Sequence, residues 1–322
     1  MHPAFSVIFF TVLSGAGYGI WFWIGLRCMS GPHPRDFGAW AWLPAWALGA
    51  VLIIIGLLSS VGHLGKPLRS WRAFSQWRTS WLSREGVLSL ATFVPAIGTA
   101  WLLIADAPEP ESMRLRVVAG LLCAMCLLTV YCTAKIYQSL VTIPEWNDKR
   151  VTPVYLLASL VSGGAIVAAM IAWQQQPSQL HMMIFFVPVM LALILVKASY
   201  WKHIDKADVR PSLGAAVGLQ DRDVTVFEKP NTQANYLNKE MGYVMARKHV
   251  KPLRSMFWLL SVIVPIVCWI GVWLLARNGL LYSVWPGIVH SIAAISCLIG
   301  LLVERWLFFA QARHIVDRYY NG

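Results

Sequence analysis

Long stretches without a formal charge are the feature that most restricts the folds open to this protein. Asp, Glu, Lys and Arg are absent from seven runs, at residues 1–26, 37–62, 86–105, 117–134, 151–196, 255–276 and 278–303. A helix needs about 20 apolar residues to cross the hydrocarbon core of a bilayer. Six runs are long enough for one crossing. The run 151–196 is long enough for two, with the polar residues 174–179 as a turn between them. The sequence therefore predicts eight transmembrane helices.

A helical bundle is favoured over a β-barrel because these runs are apolar on all sides, whereas barrel strands alternate apolar and polar residues. Only 13% of the residues are charged, compared with about a quarter in a soluble domain. The predicted fold class is an all-α integral membrane protein with eight helices. Residues 1–322 form one transmembrane domain, and residues 201–254 form a long hydrophilic connector within it.

The six cysteines fall inside the apolar runs or at their edges. Cys123 and Cys126 form a C-x-x-C pair, a spacing that in a soluble protein suggests metal or redox chemistry. A free cysteine in an apolar run behaves as a small buried hydrophobic residue. We therefore expect packing rather than a metal site or an iron–sulfur cluster in this chain.

Basic residues are strongly biased to one side of the predicted bundle. Of the 27 Lys and Arg residues, 22 fall in connectors 2–3, 4–5 and 6–7 and in the C-terminal tail, a count that includes Lys197 and Arg305. The positive-inside rule places these segments and both termini in the cytoplasm. Arg27 and Arg35, which follow the first helix, would alone favour the opposite orientation. The count over all connectors outweighs them, because later charges can override the first helix. The basic face can meet anionic lipid or an acidic protein partner; nothing in the sequence indicates nucleic-acid binding.

The connector after helix 2, GHLGKPLRSWRAFSQWRTSWLSREG, combines aromatic and basic residues. Trp71, Phe74, Trp77 and Trp81 recur every three or four residues, as in an amphipathic helix at the membrane interface. Glu85 begins the next span, and two interpretations of it remain open. It can be a first-turn carboxylate at the helix dipole, with Ser83 as the cap.

The alternative interpretation of Glu85 is functional and includes His63, which ends helix 2. Both residues lie at the same depth near the cytoplasmic side, where ionisable groups are candidates for function. They can exchange protons with a quinone dissolved in the membrane, because quinone reduction takes up two electrons and two protons. For His63, the alternative is an ordinary donor at a helix C-terminus.

Two further residues near or within the spans carry open alternatives. Tyr137 ends helix 4 and can donate to a quinone carbonyl or belong to the aromatic belt at the membrane surface. His290 lies well inside a span, but a b-type haem usually needs two facing axial histidines at similar depth. The sequence provides no second histidine at that depth, so no haem is expected.

Several segments resemble the membrane-anchor subunit of the DMSO reductase family (DmsC-like). They are HLGKPLRSWRAFSQWRTSWLSREG, KIYQSLVTIPEWND, PNTQANYLNKEMGYVMARKHVKPLR and the N-terminal HPAFSVIFFTVLSGAGYG. The resemblance extends over essentially the whole sequence and includes the count of eight helices.

This resemblance implies a quinone-reactive anchor without haem. Its partners would be an iron–sulfur subunit and a molybdopterin catalytic subunit, docked on the basic cytoplasmic face. The family associates the His of the HLG motif and the Glu that opens the third helix with the quinone site, which correspond here to His63 and Glu85. Lys66 and Arg84 would favour negative charge on the reduced quinone, and Tyr137 completes the predicted site.

The charge bias distinguishes the branches of this family. A cytoplasmic connector 2–3 fits the sulfite dehydrogenase anchors (SoeC-like), in which sulfite oxidation delivers electrons to quinone at the bacterial inner membrane. The alternatives are a quinol-oxidising anchor of a sulfoxide reductase and a haem-b cytochrome subunit. A secondary transporter is disfavoured, since such proteins carry polar groups at the bilayer midplane, and the charges here flank the spans.

Overall fold

A computed structural model gives the arrangement of the helices. It describes residues 4–30, 42–62, 66–105, 113–175, 178–206, 214, 219, 224–225, 227–228 and 249–315, with the side chains of residues 30, 178–185 and 206 outside the description. His63 and most of the connector 201–254 therefore lie outside the described residues.

Within the described ranges, eight helices are long and apolar enough to cross a membrane, which confirms the count predicted from the sequence. They are α1 Phe5–Ser30, α2 Leu43–Val61, α3 Trp81–Ile104, α4 Met113–Gln138, α5 Val151–Trp173, α6 Ser178–Lys206, α7 Val250–Arg277 and α8 Trp285–Gln311. A 3₁₀ helix, Pro67–Gln76, lies in the connector between α2 and α3. We call it the connector helix.

Helices α1 and α5 form the centre of the bundle. Helix α1 packs against α2, α4, α5 and α8, and helix α5 packs against α1, α4, α6 and α8. Because both are surrounded by other helices, most of their residues are buried. Two indole groups of α1 form hydrogen bonds with neighbouring helices. Trp21 Nε1 donates to the Trp46 carbonyl of α2 at 2.9 Å, and Trp23 Nε1 donates to the Leu160 carbonyl of α5 at 2.7 Å.

Helices α1 and α5 meet through small residues. A Cβ atom on Gly19 would lie 2.0 Å from the Ser159 carbonyl oxygen, and one on Gly163 would lie 2.2 Å from the Gly19 carbonyl carbon. Ser159 Oγ also donates to the Gly15 carbonyl at 2.6 Å. In an apolar solvent, such close backbone packing replaces the hydrophobic effect as the source of helix association.

Helix α7 contains one turn of π-helix, Leu259–Ile263, just before Pro265. A π-turn and a proline both leave backbone carbonyls without their regular partners. Helix α8 compensates, because Ser296 Oγ donates to the Leu260 carbonyl at 2.7 Å. In the other direction, Ser261 Oγ donates to the Cys297 carbonyl at 3.2 Å.

Several helix ends meet on one side of the bundle, which we call the connector side. Ser59 Oγ, near the end of α2, donates to the Ser6 carbonyl at the start of α1. The Ile315 amide, beyond α8, donates to the Thr142 carbonyl in the loop between α4 and α5. The connector side therefore carries the start of α1, the connector helix, residues 139–150 and the end of α8.

The structure corrects the placement of two basic residues. Lys197 and Arg305 were counted with the cytoplasmic loops, but they lie inside α6 and α8 and are almost fully buried together with Glu304. Burial of charged groups is costly unless they are paired. The three residues are paired with one another, as described below.

The close contact of α1 and α5 gives a first prediction. In Gly163→Ala the added methyl group overlaps the backbone of α1, so we expect a loss of about 1–3 kcal/mol in the free energy of unfolding. Thermal unfolding in detergent measures this. Gly271→Ala in α7 is the matched control, because its new Cβ meets its nearest neighbour at 4.0 Å. Equal melting temperatures for the two variants would refute the role of this contact.

Candidate functional site

A large cavity among the described residues opens on the connector side, between α1, α2, the connector helix, α3 and α4. Its volume is about 830 Å³, within the usual range for a pocket that binds a small organic molecule. Most of the lining side chains are apolar. The polar and ionisable lining residues are Ser60, Lys66, Arg69, Ser70, Ser83, Glu85, Ser89 and Tyr137.

Glu85 lies on the inner wall of this cavity. Helix α3 begins at Trp81, and Ser80 is its cap, since Ser80 Oγ accepts a hydrogen bond from the Ser83 amide. The expectation that Ser83 caps the helix is therefore wrong. Glu85 lies beyond the first turn of α3, so the interpretation as a first-turn carboxylate does not describe its position.

The environment of the Glu85 carboxyl group suits proton exchange. The side chain is 4% exposed, and Thr133 Oγ on α4 donates to Glu85 Oε1. A buried carboxylate needs such a partner because it loses the solvation of water. Since Glu85 also lines the cavity, a ligand there can reach the carboxyl group while Thr133 holds it in place.

Tyr137 lies in a cluster of aromatic rings beneath the cavity. Its ring stacks on Tyr155 at a centroid distance of 5.8 Å and meets Trp146 and Phe309 edge-on at 5.5 and 5.2 Å. Tyr137 is buried and lines the cavity. The aromatic-belt interpretation does not fit this position, because a belt residue lies at the lipid surface.

Two basic residues lie at the cavity wall near the connector helix, and a third predicted residue does not. Lys66 and Arg69 line the cavity. Arg84 instead donates to the carbonyls of Trp77 and Arg78 at 3.0 and 2.6 Å, which fastens the connector to α3. Of the predicted site residues, Glu85, Lys66 and Tyr137 therefore line the same cavity, whereas Arg84 does not.

Phe74 closes the cavity on the side of the connector helix. A Cβ atom on Gly86 would lie 2.8 Å from Phe74 Cε1, so the absence of a side chain at position 86 lets the ring rest against α3. Phe74 and Gly86 both line the cavity. The aromatic spacing predicted a helix through Trp71, Phe74, Trp77 and Trp81. The connector helix confirms this only for Trp71 and Phe74, because it ends at Gln76 and Trp81 already begins α3.

Sequence reasoning missed several residues of the site: Thr133, which holds Glu85, and two residues of the cavity wall. Thr133 lies one helical turn before Tyr137 on α4, and this i, i+4 spacing was the signal that pointed to the same face. Trp146 lies in the segment KIYQSLVTIPEWND and lines the cavity, and its Nε1 donates to the Phe308 carbonyl at 3.0 Å. Nothing in the sequence indicated that Phe309 would complete the wall.

The cysteines and His290 lie elsewhere. All six cysteines are free, and Cys123 and Cys126 are buried in α4, as expected from their apolar surroundings. His290 is buried against Trp269, with ring centroids 4.6 Å apart. Among the described residues, no group of three His, Cys, Asp or Glu side chains is placed to hold a metal ion.

Comparison with known proteins supports the resemblance seen in the motifs. The family model for the DMSO reductase anchor subunit (DmsC) matches residues 1–310. The C subunit of the sulfite dehydrogenase of Allochromatium vinosum is 29% identical over 341 aligned residues, which cover 100% of this chain and 99% of that protein.

Two reductase proteins are similar over shorter stretches. The C chain of the anaerobic dimethyl sulfoxide reductase of Haemophilus influenzae is 24% identical over 197 residues, covering 60% of this chain and 68% of that protein. The YnfH chain of an anaerobic dimethyl sulfoxide reductase of Escherichia coli is 28% identical over 123 residues, covering 38% of this chain and 42% of that protein.

Filling the cavity from α3 tests whether it is the binding site. In Gly86→Leu the new side chain displaces Phe74 and occupies the cavity, so we expect the Kd of a short-chain quinone analogue to rise about tenfold or more, a loss of about 1.4 kcal/mol. Calorimetric titration of the detergent-solubilised protein measures the Kd. Val87→Leu is the control, because Val87 is exposed and does not line the cavity. An unchanged Kd in Gly86→Leu would show that the analogue does not bind in this cavity.

Proposed function

Since the chain belongs to the DMSO reductase anchor subunit (DmsC) family, we propose that it anchors a molybdopterin oxidoreductase to the bacterial inner membrane and passes electrons between an iron–sulfur subunit and the quinone pool. The observation that carries this proposal is the buried carboxyl group of Glu85 on the wall of a large, mostly apolar cavity. Ionisable groups inside a membrane protein are candidates for function, and a carboxyl group beside a ligand-sized cavity suits proton exchange with the ligand.

The lining of the cavity fits a quinone. Apolar side chains from α1, α2 and α3 suit an isoprenoid tail, and the rings of Phe74, Trp146 and Phe309 suit a flat head group. Glu85 and Lys66 provide the few polar groups that orient a small ligand in such a pocket. A quinone bound here accepts two electrons and two protons, or releases them as quinol.

The residues of this protein then have distinct roles. Glu85 exchanges a proton with a quinone oxygen, and Thr133 holds the carboxyl group toward the cavity. The positive charges of Lys66 and Arg69 stabilise the negative charge that develops as electrons arrive before protons. His63, which precedes the connector helix, is proposed as the second proton carrier. Tyr137 supports the wall that faces the ring.

The connector side is the proposed docking face for the iron–sulfur subunit and the cytoplasmic face of the protein. The connector helix exposes Arg69 and Arg72 beside Trp71, and the side chain of Leu68 is 92% exposed. Exposed aromatic and arginine side chains are typical of protein interfaces. Electrons delivered here reach the quinone cavity directly, because Arg69 and Phe74 belong both to the connector helix and to the cavity wall. The connector 201–254 is proposed to complete this face.

Sulfite oxidation is the preferred reaction of the complex. Two observations favour it: the similarity to a sulfite dehydrogenase protein extends over the whole sequence, and the excess of basic residues on the connector side favours a cytoplasmic docking face. A sulfoxide reductase is the second candidate, because two reductase proteins match parts of the sequence.

The role of Glu85 is tested by Glu85→Gln, which keeps the shape of the side chain but removes the proton carrier. We expect assembly of the complex and the Kd of the quinone analogue to remain as in the wild type. Quinone turnover is expected to fall by about 100-fold or more, the usual size of general acid–base effects.

Glu145→Gln is the matched control for Glu85→Gln. It makes the same chemical change in a half-buried residue that does not line the cavity and whose Oε2 accepts a hydrogen bond from the Arg313 amide. We expect its turnover to stay near the wild-type value. Full turnover in Glu85→Gln would leave that residue with a purely structural role.

The preferred reaction is tested on the purified native complex. Sulfite is expected to reduce a soluble quinone analogue, measured from the quinone absorbance, at a rate that depends on the presence of this protein. A difference spectrum of the same sample records any haem. Activity only in the reverse sense, with quinol oxidised by a sulfoxide, would exclude the sulfite dehydrogenase branch and keep the anchor function.

A further inference from the structure

Three charged side chains are buried together between α6 and α8. Lys197 Nζ pairs with Glu304 Oε1, and Arg305 Nε lies 2.9 Å from Glu304 Oε2. The exposed fractions of Lys197, Glu304 and Arg305 are 1%, 2% and 3%. Two cations and one anion leave this triad with one excess positive charge, an arrangement that is rare inside a membrane protein unless it has a function.

Aromatic rings surround the two cations of the triad. Lys197 Nζ lies 4.6 Å from the centroid of Tyr200, and Arg305 Cζ lies 3.8 Å from the centroid of Tyr155. Such cation–π contacts replace part of the lost solvation of the excess charge. Arg254 of α7 also approaches, at 5.0 Å from the Trp201 ring, but its charge is paired with Asp205 at 2.5 Å.

Donor groups of the triad region have few protein partners. Within the described part of the molecule, the two terminal nitrogens of Arg305, Nη1 and Nη2, and the Tyr155 hydroxyl group are buried, and apart from the close approach of these two side chains to each other they have no hydrogen-bond partner. Arg305 and Tyr155 both line an internal cavity of about 20 Å³. Buried donors are nearly always hydrogen-bonded, and a cavity of this size holds about one water molecule.

The walls of this small cavity are otherwise rich in hydroxyl groups. Its remaining polar lining residues are Thr11, Ser14, Thr133, Ser159 and Ser162. A hydroxyl group that donates to a carbonyl can still accept a hydrogen bond. The site therefore offers both donors and acceptors to a water molecule, and we call it the water cavity.

Thr133 connects the water cavity to the quinone cavity. It lines the water cavity, while Glu85, to which its hydroxyl group donates, lines the quinone cavity. Tyr155 makes the connection at the other end, because it lines both the water cavity and a narrow gap that includes Lys197 and Arg305.

These groups all lie toward the connector side of the bundle. At about 1.5 Å per helical residue, Glu85, Thr133, Tyr155, Lys197 and Glu304 lie about 6–14 Å from the connector-side ends of their helices. A proton that moves among them therefore stays on the connector side of the bundle.

We propose that the triad Lys197–Glu304–Arg305 is a proton reserve for the quinone site, connected to Glu85 through Tyr155, a water molecule in the water cavity and Thr133. This proposal rests on the function proposed above. It makes the supply of protons independent of the mouth of the quinone cavity, which a docked partner and a bound quinone both cover.

Each proton moves one group toward the quinone. Glu85 gives its proton to a quinone oxygen and takes one from the Thr133 hydroxyl group, which takes one from the water. The water takes one from the Tyr155 hydroxyl group, which takes one from the Lys197 ammonium group. Water on the connector side returns a proton to Lys197. Loss of one proton turns the triad from a net charge of +1 into a neutral Arg305–Glu304 pair with an uncharged lysine, and quinol oxidation reverses each step.

The test uses the purified complex with Tyr155→Phe and Thr133→Val. Each variant removes one hydroxyl group and keeps the shape of the side chain, and the phenyl ring still stacks under Arg305. For both, we expect quinone turnover to fall roughly 10- to 100-fold, with a larger solvent deuterium isotope effect. The Kd of the quinone analogue is expected to stay within about twofold of the wild-type value, since neither residue lines the quinone cavity.

Thr129→Val is the matched control for Thr133→Val. Thr129 lies one turn earlier on α4, is fully buried, and has its hydroxyl group paired with Thr92 and the Met125 carbonyl. It lines neither cavity, so its turnover and isotope effect are expected to match the wild type.

Comparison with Glu85→Gln separates the possible failures. Full turnover in Tyr155→Phe with loss of turnover in Glu85→Gln would overturn the relay and keep the proposed quinone site. A loss in Thr133→Val but not in Tyr155→Phe would reduce Thr133 to holding Glu85 in place, which also overturns the relay. Full turnover in all three variants would refute the quinone site together with its proton reserve.

Discussion

The cost of an unpaired polar group in an apolar medium governs this structure. In the hydrocarbon core no water is present to form hydrogen bonds with the backbone, so the crossings of this bundle are helices, whose backbone hydrogen bonds are internal. For the same reason, a charged side chain there needs a partner within the bundle. Glu85 finds Thr133, and Lys197 and Arg305 find Glu304. These pairings require α3 to meet α4 and α6 to meet α8 at fixed heights.

The same constraint explains why the central helices are built from small residues. Gly19 and Gly163 allow α1 and α5 to approach until their backbones touch, which draws the surrounding helices inward. Tyr155 on α5 and Thr133 on α4 can then line a single water-sized space. Bulkier residues between α1 and α5 would widen that space and break the series of hydroxyl groups that ends at Glu85.

The sequence predicted the number of helices because each crossing can be recognised from the length and composition of a single contiguous run. It also predicted that Glu85 lies near the start of α3, since the residue directly precedes a charge-free run. It did not predict the partner of Glu85, because Thr133 is 48 residues away and a threonine in an apolar helix has many ordinary uses. The prediction that Arg84 belongs to the site was wrong for a different reason. Its long, flexible side chain can reach either the cavity or the carbonyl groups of the connector, and only the fold determines which.

The buried triad shows that a count of charges along a sequence cannot distinguish a buried charged residue near a helix end from an exposed one in a loop. Lys197 and Arg305 border charge-free runs, so a linear reading assigns them to loops, although Tyr200 and Trp201 follow Lys197 at the helical spacings that place aromatic rings beside it. Removing both residues from the connector-side count leaves 20 basic residues against 5 on the other side, so the argument for a cytoplasmic connector side stands without them. The positive charges of this protein therefore fall into two classes: exposed ones, whose bias to the connector side predicts the orientation in the membrane, and two buried ones, for which we propose a role in proton supply.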